Sequence, residues 1–112
     1  MNIEYKSSKL RKVCEDPQKA QKEYGKQIAN KLTQRVGELK AADNLYTISL
    51  IPAAEFHILQ GKRQDQYAVT LVHPFRLVFS AIIDEGVDIT DLKEIEIVKI
   101  EEVVDYHGKK KR

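Results

Sequence analysis

This 112-residue chain lacks any long apolar run. A membrane-crossing helix needs about 18–20 consecutive apolar residues, and no such stretch occurs. The opening MNIEYKSSKLRKV holds no apolar segment of the kind that marks a secretory signal. Cysteine is nearly absent. Cys14 stands alone, so no internal disulfide can form, and a reducing, cytoplasmic setting without a membrane partner is expected. Three scattered histidines and one cysteine, with no C-x-x-C or H-x-x-x-H spacing, give zinc no ligand set. No Gly-rich phosphate loop and no G-x-S-x-G elbow is present, so neither a nucleotide cradle nor an α/β-hydrolase nucleophile is expected, and no cofactor is implied. Repeats and Gly/Ser linkers are missing too. The length suits one domain with one modest core, assigned to residues 1–107, followed by a basic tail at 108–112.

What is present is charge, unevenly placed. The net charge is only +2. Residues 1–76 carry +5, residues 77–107 carry −7, and the tail GKKKR adds +4. Segregation of this kind suggests one face suited to nucleic acid and an acidic face elsewhere, although charge blocks also serve as plain solvated surface.

Hydrophobic periodicity divides the chain. Residues 2–5 (NIEY) read as a strand and the segment from Ser7 as a short helix, with Cys14 as a small core residue. Asp16-Pro17 fits a helix N-cap with proline in the first position. From there to about residue 40, Ala20, Tyr24, Ile28, Leu32, Val36 and Leu39 recur at helical spacing, while Lys19, Lys22, Lys26, Lys31 and Arg35 occupy the other face. The two helices are expected to form a hairpin. A connector broken at Pro52 follows, and the period then changes from 3.6 to 2. EFHILQ, QYAVTLV, FRLVFSAII and IEIVKIEEVVDY read as strands, with a turn at 61–65, a bend at His73-Pro74 and a polar loop at 84–94. The apolar residues of the last strand change phase, which suggests a bulge. The expected order is β-α-α-β-β-β-β, an α+β fold in which an antiparallel meander is covered by a helical hairpin.

Several residues have chemistry to offer. The chain ends VVDYHGKKKR. Asp105 and His107 are two apart on an extended segment and point to the same side, so the carboxylate can orient the imidazole or act as a base. Imidazole titrates near neutrality and suits general acid or base work. Tyr106 would point to the opposite face of a regular strand. The bland alternative for this trio is a strand end with a satisfied Asp and a solvent-facing His. Arg76 sits mid-strand among apolar residues, where an unpaired charge is costly. Either it pairs with an acid such as Asp105, or its fork of donors grips a phosphate. His57 is either a half-buried structural histidine or a second imidazole near the same cleft.

Three blocks in order carry a family resemblance. FHILQGKRQDQYAVTL offers His57, Leu59, Gly61, Tyr67, Ala68 and Val69; PFRLVF offers Arg76, Leu77 and Phe79; the third block is Asp105-Tyr106-His107. Together they resemble the RelE/ParE superfamily of bacterial toxin–antitoxin toxins, most closely its HigB-type members. The resemblance implies a metal-independent endoribonuclease that cuts ribosome-bound mRNA. It implies catalytic roles for His57, Arg76, Asp105, Tyr106 and His107, and RNA contacts from Gln60, Lys62 and Arg63. Implied partners are mRNA, ribosomal RNA and a helix-turn-helix antitoxin of the HigA type. One position departs from the pattern: many HigB-type chains carry Lys where this chain has Gln60, and Lys62 or Arg63 would then supply the charge. The alternatives are a ParE-like gyrase inhibitor on the same fold and a catalytically degenerate nucleic-acid-binding or regulatory relative.

Overall fold

The computed structural model describes residues 1–63 and 65–105; the expected roles of Tyr106 and His107 and the basic tail lie outside them. Among the described residues, four α-helices and five strands form an α+β fold. They run β1 (Asn2–Tyr5), α1 (Ser8–Glu15), α2 (Pro17–Tyr24), α3 (Lys26–Ala41), α4 (Leu45–Ser49), β2 (His57–Ile58), β3 (Gln66–Thr70), β4 (Phe75–Ala81) and β5 (Ile97–Asp105). Among the described residues no helix is long and apolar enough to cross a membrane.

The sheet order is β1-β5-β4-β3-β2. Strands β2 to β5 form the expected antiparallel meander, but β1 lies parallel to β5, so the sheet is mixed. The first strand enters the sheet beside the last, and the helices then carry the chain to β2 at the opposite edge.

The long helix expected over 16–40 is two helices. Asp16 caps the first as its sequence suggests, with Oδ1 accepting from the amides of Gln18 and Lys19. Gly25 then adopts φ +88°, a conformation that glycine enters without steric cost, and the helix breaks there. Its amide still closes α2 onto the Gln21 carbonyl, while its own carbonyl accepts the first bond of α3 from Ala29. The apolar spacing runs through the break because both helices bury the same stripe. The connector, expected to be irregular, contains α4, started by Asn44 whose side chain accepts from the Thr47 amide. The strand expected over 55–60 shrinks to His57–Ile58 because Glu55 takes a left-handed conformation, φ 48° and ψ 49°, after a 3-10 turn at Pro52–Ala54.

The core lies between the helices and one face of the sheet. Leu32, Val36 and Leu39 meet Leu77, Phe79, Val98 and Ile100. Tyr67 is sandwiched between Phe56 and Phe79, with ring centroids 5.6 Å away on each side. Its hydroxyl donates to the Ile89 carbonyl at 2.7 Å, tying the 84–94 loop to the core. Burial pushes that phenol up to about 12.

Arg35 corrects the helix reading. It is not on the solvent face but buried. Nε donates to the Thr70 carbonyl and Nη2 to the Ala53 carbonyl, both at 2.8 Å, while Nη1 meets Glu38 at 3.0 Å. A buried guanidinium is tolerable only with its donors engaged in this way. These bonds join α3 to the end of β3 and to the turn that precedes His57.

Candidate functional site: a histidine–arginine pair on the second face of the sheet

Cross-strand register decides which side chains share a face, because directly opposed residues point to the same side. His57 is opposite Ala68, Ala68 opposite Val78, and Val78 opposite Glu102. Thr70, Arg76 and Val104 form the next row. Both rows lie on the face away from the core made by Tyr67, Leu77 and Phe79. Ala68 and Val78 are fully buried yet stand outside that core. The sheet therefore has a second face, and His57, Arg76 and Glu102 are the ionisable side chains of these two rows.

The central contact joins β2 to β4. Nη1 of Arg76 lies 2.8 Å from Nε2 of His57, and Nδ1 of His57 lies 2.9 Å from the Glu55 carbonyl. Arginine only donates and a carbonyl only accepts. Nε2 is therefore the acceptor and Nδ1 carries the proton. The left-handed turn at Glu55 aims its carbonyl back at the ring two residues on. Arg76 and His57 are 19 residues apart in sequence, and the hairpins bring them together.

The 3-10 turn Gly61–Arg63 connects β2 to β3. Gly61 opens it at φ +70°, a conformation that a side chain would strain. Gln60 and Lys62 are exposed. Arg63 leans over β3 and β4, and its Nη1 meets Glu102 of β5 at 2.6 Å and Gln66 at 3.4 Å. Glu102 had no part in the sequence reading. Its only trace there was the phase change, which is a bulge: Val78 faces Glu102 but Phe79 faces Ile100, leaving Glu101 as the extra residue. Ser80 donates to Glu101 at 2.7 Å.

Asp105 is opposite Phe75, whose ring meets Tyr24 edge-on. The ladder thus gives Asp105 the side of Phe75 and Val103, while Arg76 and Val104 share the other side. Of the sequence-selected residues, the fold brings His57 and Arg76 into contact, sets Arg63 on the same face, and places Asp105 one step along β5 beyond Val104. Cys14 is a buried core residue, as expected, and burial pushes its thiol up to about 12. Among the described residues, no three His, Cys, Asp or Glu side chains converge as a metal site.

Part of the positive charge of the N-terminal half gathers beside α1 and α2. Lys9, Lys12, Lys19 and Lys22 line one open groove of about 340 Å³, with Val13 in its wall and Glu23 as its acid. A scan of the sequence against protein-family models finds no match, and a search of curated proteins finds none either.

Proposed function

We propose that the chain is the toxin of a bacterial toxin–antitoxin module, with the RelE/ParE-like HigB-type topology, and acts in the cytoplasm as a metal-independent endoribonuclease on ribosome-bound mRNA. The observation that carries the reading is the His57–Arg76 contact, 2.8 Å across β2 and β4. The β2–β3 turn with Lys62 and Arg63 borders it. A guanidinium held at a sheet face, with further cations on the adjoining loop, suits a phosphodiester.

The chemistry needs few parts. A base accepts the ribose 2′-OH proton as the 2′-oxygen bonds to phosphorus. The bond from phosphorus to the 5′-oxygen breaks, and an acid protonates the leaving oxygen. The products are a 2′,3′-cyclic phosphate and a 5′-hydroxyl. Arg76 stabilises the charge that builds on the phosphorane oxygens. His107 is the proton carrier and Tyr106 a contact to the base or sugar, while Asp105, on the side of β5 opposite Arg76, serves to orient His107 rather than to meet the phosphate. Gln60, Lys62 and Arg63 hold the flanking RNA, and the lysines of α1 and α2 add affinity that is independent of sequence. A helix-turn-helix antitoxin neutralises the protein.

Induction in a bacterial host tests this reading. Growth arrest with new mRNA 5′ ends inside codons is expected for the wild type and is lost in His107→Gln and Arg76→Ala. Arrest with damaged DNA and intact mRNA would replace the reading with gyrase inhibition.

A further inference from the structure

We infer that His57 is a positioning residue for Arg76 rather than a carrier of protons. This rests on reading Arg76 as the phosphate-binding residue. A general acid or base must turn one ring nitrogen toward the reacting group. Both nitrogens of His57 are engaged by the protein itself. Nδ1 faces the Glu55 carbonyl at 2.9 Å and Nε2 faces Arg76 Nη1 at 2.8 Å. Neither partner can reverse its role, because a carbonyl has no proton to give and a guanidinium offers no lone pair.

The surrounding structure holds that arrangement in place. Glu55 occupies the left-handed region, φ 48° and ψ 49°, which a side-chain-bearing residue adopts only when its neighbours dictate it. The turn before it is anchored by Arg35, whose Nη2 donates to the Ala53 carbonyl at 2.8 Å. A chain of contacts therefore runs from the helical layer through Arg35, the Pro52–Ala54 turn and the Glu55 carbonyl to His57, and from His57 to Arg76. Its effect is to choose one tautomer of His57 and to present an acceptor to the arginine. Supporting groups of this kind set where a charged side chain points, as the outer ligands of a metal site do. The lone pair on Nε2 fixes one nitrogen of the fork, and with it the plane of the guanidinium across the sheet face.

The test combines a spectrum of the wild type with two variants. Nitrogen-15 NMR of the histidine ring is expected to show His57 protonated at Nδ1 and bare at Nε2. This measurement needs no variant and no activity. His57→Gln keeps an acceptor oxygen at about the reach of Nε2, whereas His57→Ala removes it. The probe is an oligoribonucleotide with 2′-O-methyl substitution at each position, which has no 2′-hydroxyl to attack the phosphate and cannot be cleaved. His57→Gln is expected to hold the probe within about twofold of wild type, and His57→Ala to weaken it by about tenfold, the scale of one charge-assisted hydrogen bond. On the mRNA of programmed ribosomes the order is the same, with His57→Gln retaining more of the single-turnover cleavage than His57→Ala. A ring protonated at Nε2, equal losses in the two variants, or a Gln variant that binds the probe but cannot cleave would each overturn the inference. If the wild type cleaves no RNA while the tautomer and the affinity order hold, the ribonuclease reading fails and the positioning role stands.

Discussion

Replacing Arg35 by methionine should destabilise the fold far more than a helix-surface substitution would. Methionine keeps much of the side chain's length and apolar stem but removes every donor. The Thr70 and Ala53 carbonyls each lose a 2.8 Å partner, and Glu38 loses its ion pair. A hydrogen bond to a charged group contributes about 1.5–3 kcal/mol, and the part-buried setting of both carbonyls keeps each near the lower end. Glu38 is partly exposed and recovers water, so its share is small. Burying apolar methionine atoms in place of the guanidinium returns part of the loss. The net expectation is about 3 kcal/mol, more than a hundredfold in the unfolding equilibrium. With a urea slope of about 1.5 kcal/mol/M, the midpoint falls by about 2 M at unchanged slope. Arg35→Lys should recover only part of this, since one ammonium on a flexible stem cannot reach carbonyls on two different elements at once. Urea titration followed by far-UV circular dichroism reads both variants. A methionine variant within about 0.5 kcal/mol of wild type would refute the view that Arg35 ties α3 to β3 and to the turn before His57.

Other consequences are as specific. Glu102→Gln should release Arg63 from its 2.6 Å partner and tighten the non-cleavable oligoribonucleotide by about two- to fivefold, the range of a partly exposed ion pair; fluorescence anisotropy would show it, and unchanged affinity would remove Arg63 from the RNA surface. Cys14, with its thiol pushed up to about 12 by burial, should resist iodoacetamide at pH 8 in the native protein and react fully in urea, as mass spectrometry can follow. The Tyr5 hydroxyl and Lys40 hold the Glu15 carboxyl below its usual range. Its folded pKa is depressed, so its stabilisation is present above the unfolded carboxylate value and is lost as pH falls through the folded one. Glu15→Gln should therefore lower the melting temperature slightly at neutral pH and converge on wild type in acid, and a constant difference across pH would contradict the pairing.

The sequence makes the framework legible where local chemistry acts alone. Asp16-Pro17 caps α2 as its residue types dictate, the strand-period segments form an antiparallel meander, and the phase change in the last strand is the Glu101 bulge. Where distant contacts decide, the residues are silent. Lys26, Lys31 and Arg35 look alike on a helical wheel. Only the carbonyls of Ala53 and Thr70, brought in by chain reversal, make Arg35 a buried anchor. The parallel pairing of β1 with β5 joins segments from opposite ends of the described chain, which no local signal encodes. At the site, His57 and Arg76 stood out as a polar residue and a charge within apolar strands. Their contact, the Glu55 carbonyl and the pairing of Arg63 with Glu102 follow from register and from one left-handed residue.

The ribonuclease reading meets its most direct test in the ends it leaves on RNA. Purified protein, freed from any antitoxin, is incubated with programmed ribosomes, and the fragments are analysed for their termini. Fragments bearing a 2′,3′-cyclic phosphate and a 5′-hydroxyl, formed by wild type and reduced at least a hundredfold in Arg76→Ala, are the expected result, the scale of losing a donor aimed at developing charge. Intact mRNA with the wild type, or cleavage that Arg76→Ala leaves untouched, would contradict it.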